Sequence, residues 1–466
     1  MRALLRLVCI FMLVLTWGTL SAQEESPDPE PSKPAFRFGM DINLGVETIP
    51  EADGSYGTYQ LIDLQPVFQF GNLGIGLSLG FHLSSTGSDS FPVTIRKEDW
   101  VPSDGQTWGE IILSKFNFIR WGFKGDPLYV RLGSISDGIL GTGFIMGNYR
   151  NTLLRPAEKP FGLNLDMDGK LFNFPYLGFE SLVGNLAAWD VMGLRIYSHP
   201  LVTLGGPIFR NLEVGFTLAG DRSPAFRENF FLSPGSPYDL NNDGQLDETI
   251  EPVLIWGIDL IQPILSGPLF SLSAFAAMAT QPRQASGSMI GVGGRIITVL
   301  PYMLQLRFLG ENFQPTYFDS TYDLYRADKY AVVSGKIDTP RHIGWAGSLG
   351  FSLFEDGLSL FLVYDAPFSS PPANTANHAA GEFPHFRISF RLAQGLLPGI
   401  YCDAFYDKPY ITRFADLWDP EGAAIGANIN YQAGTSVITL AYAIKYNPAV
   451  GKLESTARLS VGMGLF

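Results

Sequence analysis

The sequence predicts an all-β chain: a single transmembrane antiparallel up-and-down β-barrel of roughly 16–20 strands, with short periplasmic turns and long outer loops. Three observations lead there. Apolar and polar residues alternate with period two in segment after segment. Hydrophobic residues make up 46% of the chain and charged residues only 17%, against about 25% charged in an ordinary soluble domain. Beyond the N-terminal leader no run reads as a membrane helix. The longest uncharged run, Leu260 to Pro282, is broken by Pro263 and by Gly267-Pro268, which read as a turn between two strands.

The leader comes first. Arg2 and Arg6 precede an apolar stretch from Leu7 to Leu15, and Ala22 marks the expected cleavage point, so residues 1–22 read as a secretory signal peptide. Cys9 leaves with it. The mature chain then keeps Cys402 alone and has no internal disulfide, so backbone pairing and burial must hold it together. Residues 23–35 are rich in Pro and Glu and read as a disordered tether. The barrel is expected to occupy 36–466. A net charge of -13 argues against nucleic acid as a partner.

Strand signals follow in order. From Phe36 to Val46 the even positions are Phe, Phe, Met, Ile, Leu and Val, while the odd ones run Arg37, Gly39, Asp41, Asn43, Gly45, Glu47. A strand exposes alternate residues to opposite sides, so one side meets an apolar medium and the other something small or wet. Leu73 to Ser84 repeats the pattern with Gly74, Gly76 and Gly80 on the second face. A soluble core wants volume at such places; a barrel wall against which something else packs does not. Leu212 to Ala219, His385 to Leu392, Ile425 to Gln432 and Ile438 to Tyr446 alternate likewise. Between Gly162 and Arg210 the pattern is weakest. Gly71-Asn72, 355–357 and 433–435 fit short turns. Residues 85–107, 136–161, 222–252, 312–341, 367–384 and 407–422 fit long loops.

The chain ends in a strand closed by Phe466. That ending resembles the C-terminal signal of bacterial outer-membrane β-barrel proteins of the porin-like class. Phe466 is out of phase with the apolar face formed by Leu459, Val461, Met463 and Leu465, whereas that family keeps the terminal aromatic in phase. The resemblance implies a bacterial outer-membrane location, with the lipid bilayer and the barrel-assembly machinery as partners and Phe466 as the assembly signal.

Inside such a barrel, the segment 133–162 reads as a loop inserted into the lumen. It is glycine-rich and carries Arg150, Arg155 and Lys159 in an otherwise acidic chain. Fixed cations at a constriction set ion preference, because a narrow, poorly screened throat focuses their field. Arg37, Asp41, Arg387 and Arg391 are further constriction candidates from the wall, with Asp63, Arg131, Arg195, Asp259 and Arg307 also on the inward face. An ordinary outer loop, with lumen charges pairing among themselves, fits the same residues. The patch Ile139 to Met146 is a candidate lining for a path taken by apolar cargo.

Residues 239–251 resemble a calcium loop. Asp239, Asn241, Asp243 and Asp247 stand at positions 1, 3, 5 and 9, with Gln245 offering its carbonyl at 7. Ile250 stands where the bidentate Glu belongs, and Pro237 and Pro252 exclude flanking helices. The expectation is a static Ca2+ clip on an outer loop, not a sensor; the same residues also favour a metal-free turn. Enzyme motifs are scarce. Residues 346–350 half-resemble a nucleophile elbow around Ser348, with His342 or His385 as conceivable bases, but lie in a predicted strand. The expected function is a channel or passive transporter for small solutes and not an enzyme. A surface adhesin or binding scaffold on a closed barrel is the alternative, and a barrel hydrolase the third reading.

Overall fold

The computed structural model describes residues 36–465 apart from 51–55, 86–92, 103–106, 123, 136, 152–159, 204–205, 207, 225–249, 355–356, 370–383, 410, 412, 420–422, 434–435 and 448–451. Phe36–Phe466 is one compact unit; the predicted leader and tether lie outside the described residues, as does Phe466.

Twenty-two strand segments form one sheet. β1 (Arg37–Pro50) and β2 (Tyr56–Phe70) open it. β3 (Leu73–Leu77) and β4 (Leu79–Ser85) are two halves of the next stave, for β2 pairs with both. β5 (Val93–Ile95) and β6 (Phe116–Trp121) are likewise two halves of the stave after it. β7 (Leu128–Gly133), β8 (Gly162–Asp168), β9 (Leu177–Val183) and β10 (Val191–Ser198) are short. Longer staves follow: β11 (Glu213–Asp221), β12 (Val253–Ser266), β13 (Ser271–Thr280), β14 (Ser286–Ile296), β15 (Leu300–Leu309) and β16 (His342–Leu353). β17 (Leu358–Pro367), β18 (His385–Leu397), β19 (Ile400–Lys408), β20 (Ala424–Ala433), β21 (Ser436–Asn447) and β22 (Lys452–Leu465) complete the set.

Every pairing is antiparallel, and β22 returns to β1 through the register Met40↔Leu465 to Glu47↔Arg458. The sheet is therefore a closed ring without edges. With β3–β4 and β5–β6 each counted once, the twenty-two segments make twenty staves. This is the upper end of the range read from the sequence. The β3–β4 break lies opposite Gln65 and Pro66, where β2 pairs with neither half; proline has no amide hydrogen to give a ladder. The turn between β12 and β13 falls at 267–270, whereas Pro263, read as part of it, lies within β12 beside a register shift between Pro263 and Leu265. The bulge removes the demand for its missing donor.

Accessibility alternates as the sequence pattern requires. Leu254, Trp256, Ile258 and Leu260 are 58%, 41%, 42% and 43% exposed, whereas Val253, Ile255 and Asp259 are 2%, 0% and 4% exposed. The outer face is thus an apolar belt, and the buried core lies within the ring. Among the described residues no helix is long and apolar enough to cross a membrane; α1 (Trp108–Leu113) and α2 (Arg326–Val333) both lie in connections. Those connections are mostly short after even staves, with β2 and β3 joined by Gly71-Asn72 alone, but the link 199–212 between β10 and β11 runs to fourteen residues. One expectation fails on the loop side: the links 51–55, 184–190, 281–285 and 448–451 are short there too.

The glycine face of β3 is covered, as its missing volume demanded. A Cβ on Gly76 would lie 2.6 Å from the Phe118 ring. Gly76→Val should therefore displace that ring and lower the heat-resistance of the barrel by about 1–3 kcal/mol, readable as a shift in thermal unfolding.

Candidate functional site

Two connections fold inside the ring. The first, Ser134 to Asn151, turns back on itself: Gly138 and Tyr149 exchange both backbone hydrogen bonds, and Leu140 N–H donates to the Met146 carbonyl. The second, Gly310 to Arg341, pairs with it: Phe318 N–H donates to the Ile145 carbonyl, and Gly147 N–H to that of Phe318. Phe144, Met146, Tyr149, Phe313, Tyr317, Phe318 and Tyr322 are all buried together against inward residues of β9 to β15 such as Leu182, Ile255 and Met289. The two connections form one plug. The apolar patch from Leu140 to Met146 is the plug's core rather than the lining of a path; only Ile139 and the Thr142 region reach its surface.

Two buried arginines hold this plug to the wall. Arg195 on β10 is 0% exposed and donates to Asp259 Oδ1 at 2.6 Å, Asp259 Oδ2 at 3.0 Å, Glu213 at 2.5 Å and Glu180 at 3.2 Å. Glu180 Oε2 also accepts the Gly141 amide of the first connection at 3.1 Å. Gly141 has φ +53, and a Cβ there would lie 2.5 Å from Arg195 Nε, so only glycine lets the connection approach so closely. Arg326 on α2 donates to Asp221 Oδ2 at 2.7 and 2.9 Å and to Asp190 at 3.0 Å. The Tyr322 hydroxyl donates to Asp221 at 2.6 Å. Burial, then the Asp221 charge, push the Tyr322 phenol well above its ordinary value; burial and Asp323 do the same to Tyr149.

The remaining inner wall, β17 to β20, is polar. Arg387 donates to Asp407 at 3.2 Å, His385 Nε2 lies 2.8 Å from the same carboxylate, and Ser320 of the plug donates to it at 3.3 Å. Arg150 reaches across from the plug. Its Cζ stands 4.6 Å from the centroid of the Phe405 ring, and that of Arg387 stands 5.7 Å from the same ring. Arg150 Nε is buried without a hydrogen-bond partner, and among the described residues no carboxylate lies within ion-pair distance of its guanidinium. Burial and the neighbouring Arg387 pull its pKa down to about 10, so it remains charged at neutral pH. Towards the turn side, Arg391, Asp403 and Asn428 are exposed although they share the inward face, and Asn428 donates to Asp403 at 2.9 Å. Exposure at inward positions means that water reaches this sector of the lumen.

The structure brings Arg150 and Arg387 together and places Arg391 nearby on the same face of β18. Arg155 and Lys159 lie outside the described residues, as do the side chains of Arg37 and Asp41 on β1. Asp63, Arg195, Asp259 and Arg307 point inward, but they are buried and do not line open space. Gly141 of the plug lies against Arg195 and Asp259, whereas Asp63 is engaged by Gln65 and Ser78 of the wall and Arg307 by Gln305 and Asp365. Asp239, Asn241, Asp243, Gln245 and Asp247 also lie outside the described residues; among those described, no three His, Cys, Asp or Glu side chains are grouped to hold a metal ion. Ser348 makes no hydrogen bond to a histidine among the described residues: His342 Nδ1 lies 3.2 Å from the Pro340 carbonyl, and His385 lies between Asp365 and Asp407.

No protein-family model matches the chain, and no curated protein matches it. Solved structures similar to it include a BenF-like porin from Pseudomonas fluorescens Pf-5, at 10% identity and TM-score 0.33, covering 93% of this chain and 99% of that one. The outer membrane protein OprD from Pseudomonas aeruginosa is 9% identical with TM-score 0.33, over 92% of this chain and 93% of its own. OccK2 (OpdF) of Pseudomonas aeruginosa, solved in complex with glucuronate, is 10% identical with TM-score 0.32, over 92% and 98%. At these values the superpositions add nothing to what the strand pairing establishes.

Proposed function

We propose that this chain is an outer-membrane channel for small solutes, whose water path runs between the plug and the β17–β20 wall and passes the Arg150–Arg387 pair. The apolar outer belt supports the membrane setting. The observation that carries the channel reading is the Arg150 guanidinium: charged, stacked on Phe405, beside a second guanidinium, its Nε buried without a hydrogen-bond partner, and with no carboxylate at ion-pair distance among the described residues. A poorly solvated cation pair beside water attracts anions and repels cations. Purified protein in planar bilayers should give discrete conductance steps with a reversal potential favouring chloride over potassium. Arg150→Ala should lower that anion preference by roughly threefold, from the loss of one fixed charge at a narrow point. An ion-tight barrel would sink the reading and leave the ring as a scaffold for its outer loops.

Residues 239–251 fit a calcium clip on the connection 222–252, and Phe466 fits an assembly signal. Asp243→Ala should abolish calcium protection of that connection against protease while leaving barrel heat-resistance unchanged; equal cleavage of the parent with and without calcium would make the motif a turn only.

A further inference from the structure

A groove of about 1000 Å3 crosses the outer face of the wall from β12 to β16. Its floor follows the hydrogen-bond register, through Leu260, Ala276, Ile290, Leu306 and Trp345 in turn. The depression exists because β13 offers Ala276 and Ala274 between Leu260, 43% exposed, and Ile290, 55% exposed. Strands in such barrels tilt by about 40°, so a row of register rises obliquely through the wall. The two ends agree with that slope: Phe209, in the connection between β10 and β11, closes the turn side, and Phe368, just after β17, closes the loop side.

The turn-side mouth has its own character. Gln262 donates to the Ile208 carbonyl at 2.6 Å and fixes the single helical turn Phe209–Asn211 there. Arg210 in that turn is exposed and has no ion-pair partner among the described residues. The β12–β13 turn beside it, from Ile261 to Phe275, carries no charge. In a protein of net charge -13 this is a local excess of positive charge at the end of an apolar trough.

We propose that the groove seats one acyl chain of a phospholipid from the turn-side leaflet, with the lipid phosphate at Arg210. It rests on the membrane setting proposed above, but not on the lumen carrying solute. The narrow floor along one register row fits a single flexible chain, and an anionic diester complements the Arg210 cation at its foot. A docked second copy of this chain would instead spread over the flat belt on both sides.

The test uses the full chain purified in detergent and exposed to micelles doped with dioleoyl-phosphatidylglycerol, with bound lipid counted by native mass spectrometry. The parent should retain one lipid tightly. Ala274→Leu with Ala276→Leu fills the trough and should weaken retention roughly tenfold or more. Arg210→Glu, which cannot disturb the wall, should weaken it several-fold, and Arg210→Lys should restore most of it. Heat-resistant gel mobility checks that each variant is folded, and unchanged conductance separates this site from the lumen. Equal retention by parent and both variants overturns the proposal. So does a dimer lost on filling the trough, which would make the occupant a second copy.

Discussion

Arg195→Ala should produce the largest change of any single substitution in this barrel. Three carboxylates, from Glu180, Glu213 and Asp259, converge on one guanidinium that is wholly sealed from water. Removing it leaves buried negative charges without a partner, a loss of about 3–5 kcal/mol for a broken buried ion pair. Because Glu180 also accepts the Gly141 amide, the same change undoes the attachment of the first lumen connection. Two readouts should move together: thermal unfolding should come at lower temperature, and single-channel conductance should rise and become noisier as the plug loosens. Arg195→Lys should recover little, since a point charge cannot satisfy three carboxylates in the planar fork geometry. Unchanged conductance in Arg195→Ala would show that the plug is held by packing alone.

Arg326→Ala should release the second connection by the same logic, exposing Asp221 and Asp190 to each other without the intervening cation. The two connections share backbone pairing between Ile145, Gly147 and Phe318, so the effects of Arg195→Ala and Arg326→Ala on conductance should be less than additive. A double-mutant cycle measures this. The same clamp predicts an alkaline limit. The folded state holds the Tyr322 and Tyr149 protons where the unfolded chain, with a phenol value of 10.0, gives them up. Their contribution is therefore fully present below pH 10 and declines as pH rises beyond it. Thermal unfolding recorded from pH 7 to 11 should hold level to about 10 and then come at lower temperature; a fall beginning well below 10 would assign the loss to another group.

The wall was legible because its physics is local. Period-two alternation in β1, β3–β4, β11, β18, β20 and β21 is written in adjacent residues, and along β11 the described side chains alternate in exposure as that pattern requires. The short staves β8 to β10 were obscure because seven or eight residues hold too few alternations to stand out. The plug was only half legible. The run from Phe318 to Val333 holds three tyrosines and several aliphatics, more apolar surface than a solvated loop tolerates, but without the period that marks a strand. Its partners were out of reach of any local pattern: Arg326 lies 105 residues from Asp221 and 136 from Asp190. Arg150 stood out as a cation in a glycine-rich segment. Asp407 did not, because it fell at the edge of a predicted loop, and His385 stood out only as a conceivable base for Ser348 and not as the partner of Asp407.

The uneven height of the staves has a consequence for the surrounding bilayer. At about 3.3 Å per residue and a tilt of about 40°, a stave of six residues such as β7 rises roughly 15 Å, and one of fourteen such as β12 roughly 35 Å. A uniform apolar slab near 25 Å cannot match both. Lipids beside β6 to β10 must shorten, or the molecule must lean towards that flank, each at a modest cost per ångström of mismatch. The thinned flank would then be the side on which neighbouring proteins with short apolar girdles gather, so the ring imposes a direction on the membrane around it.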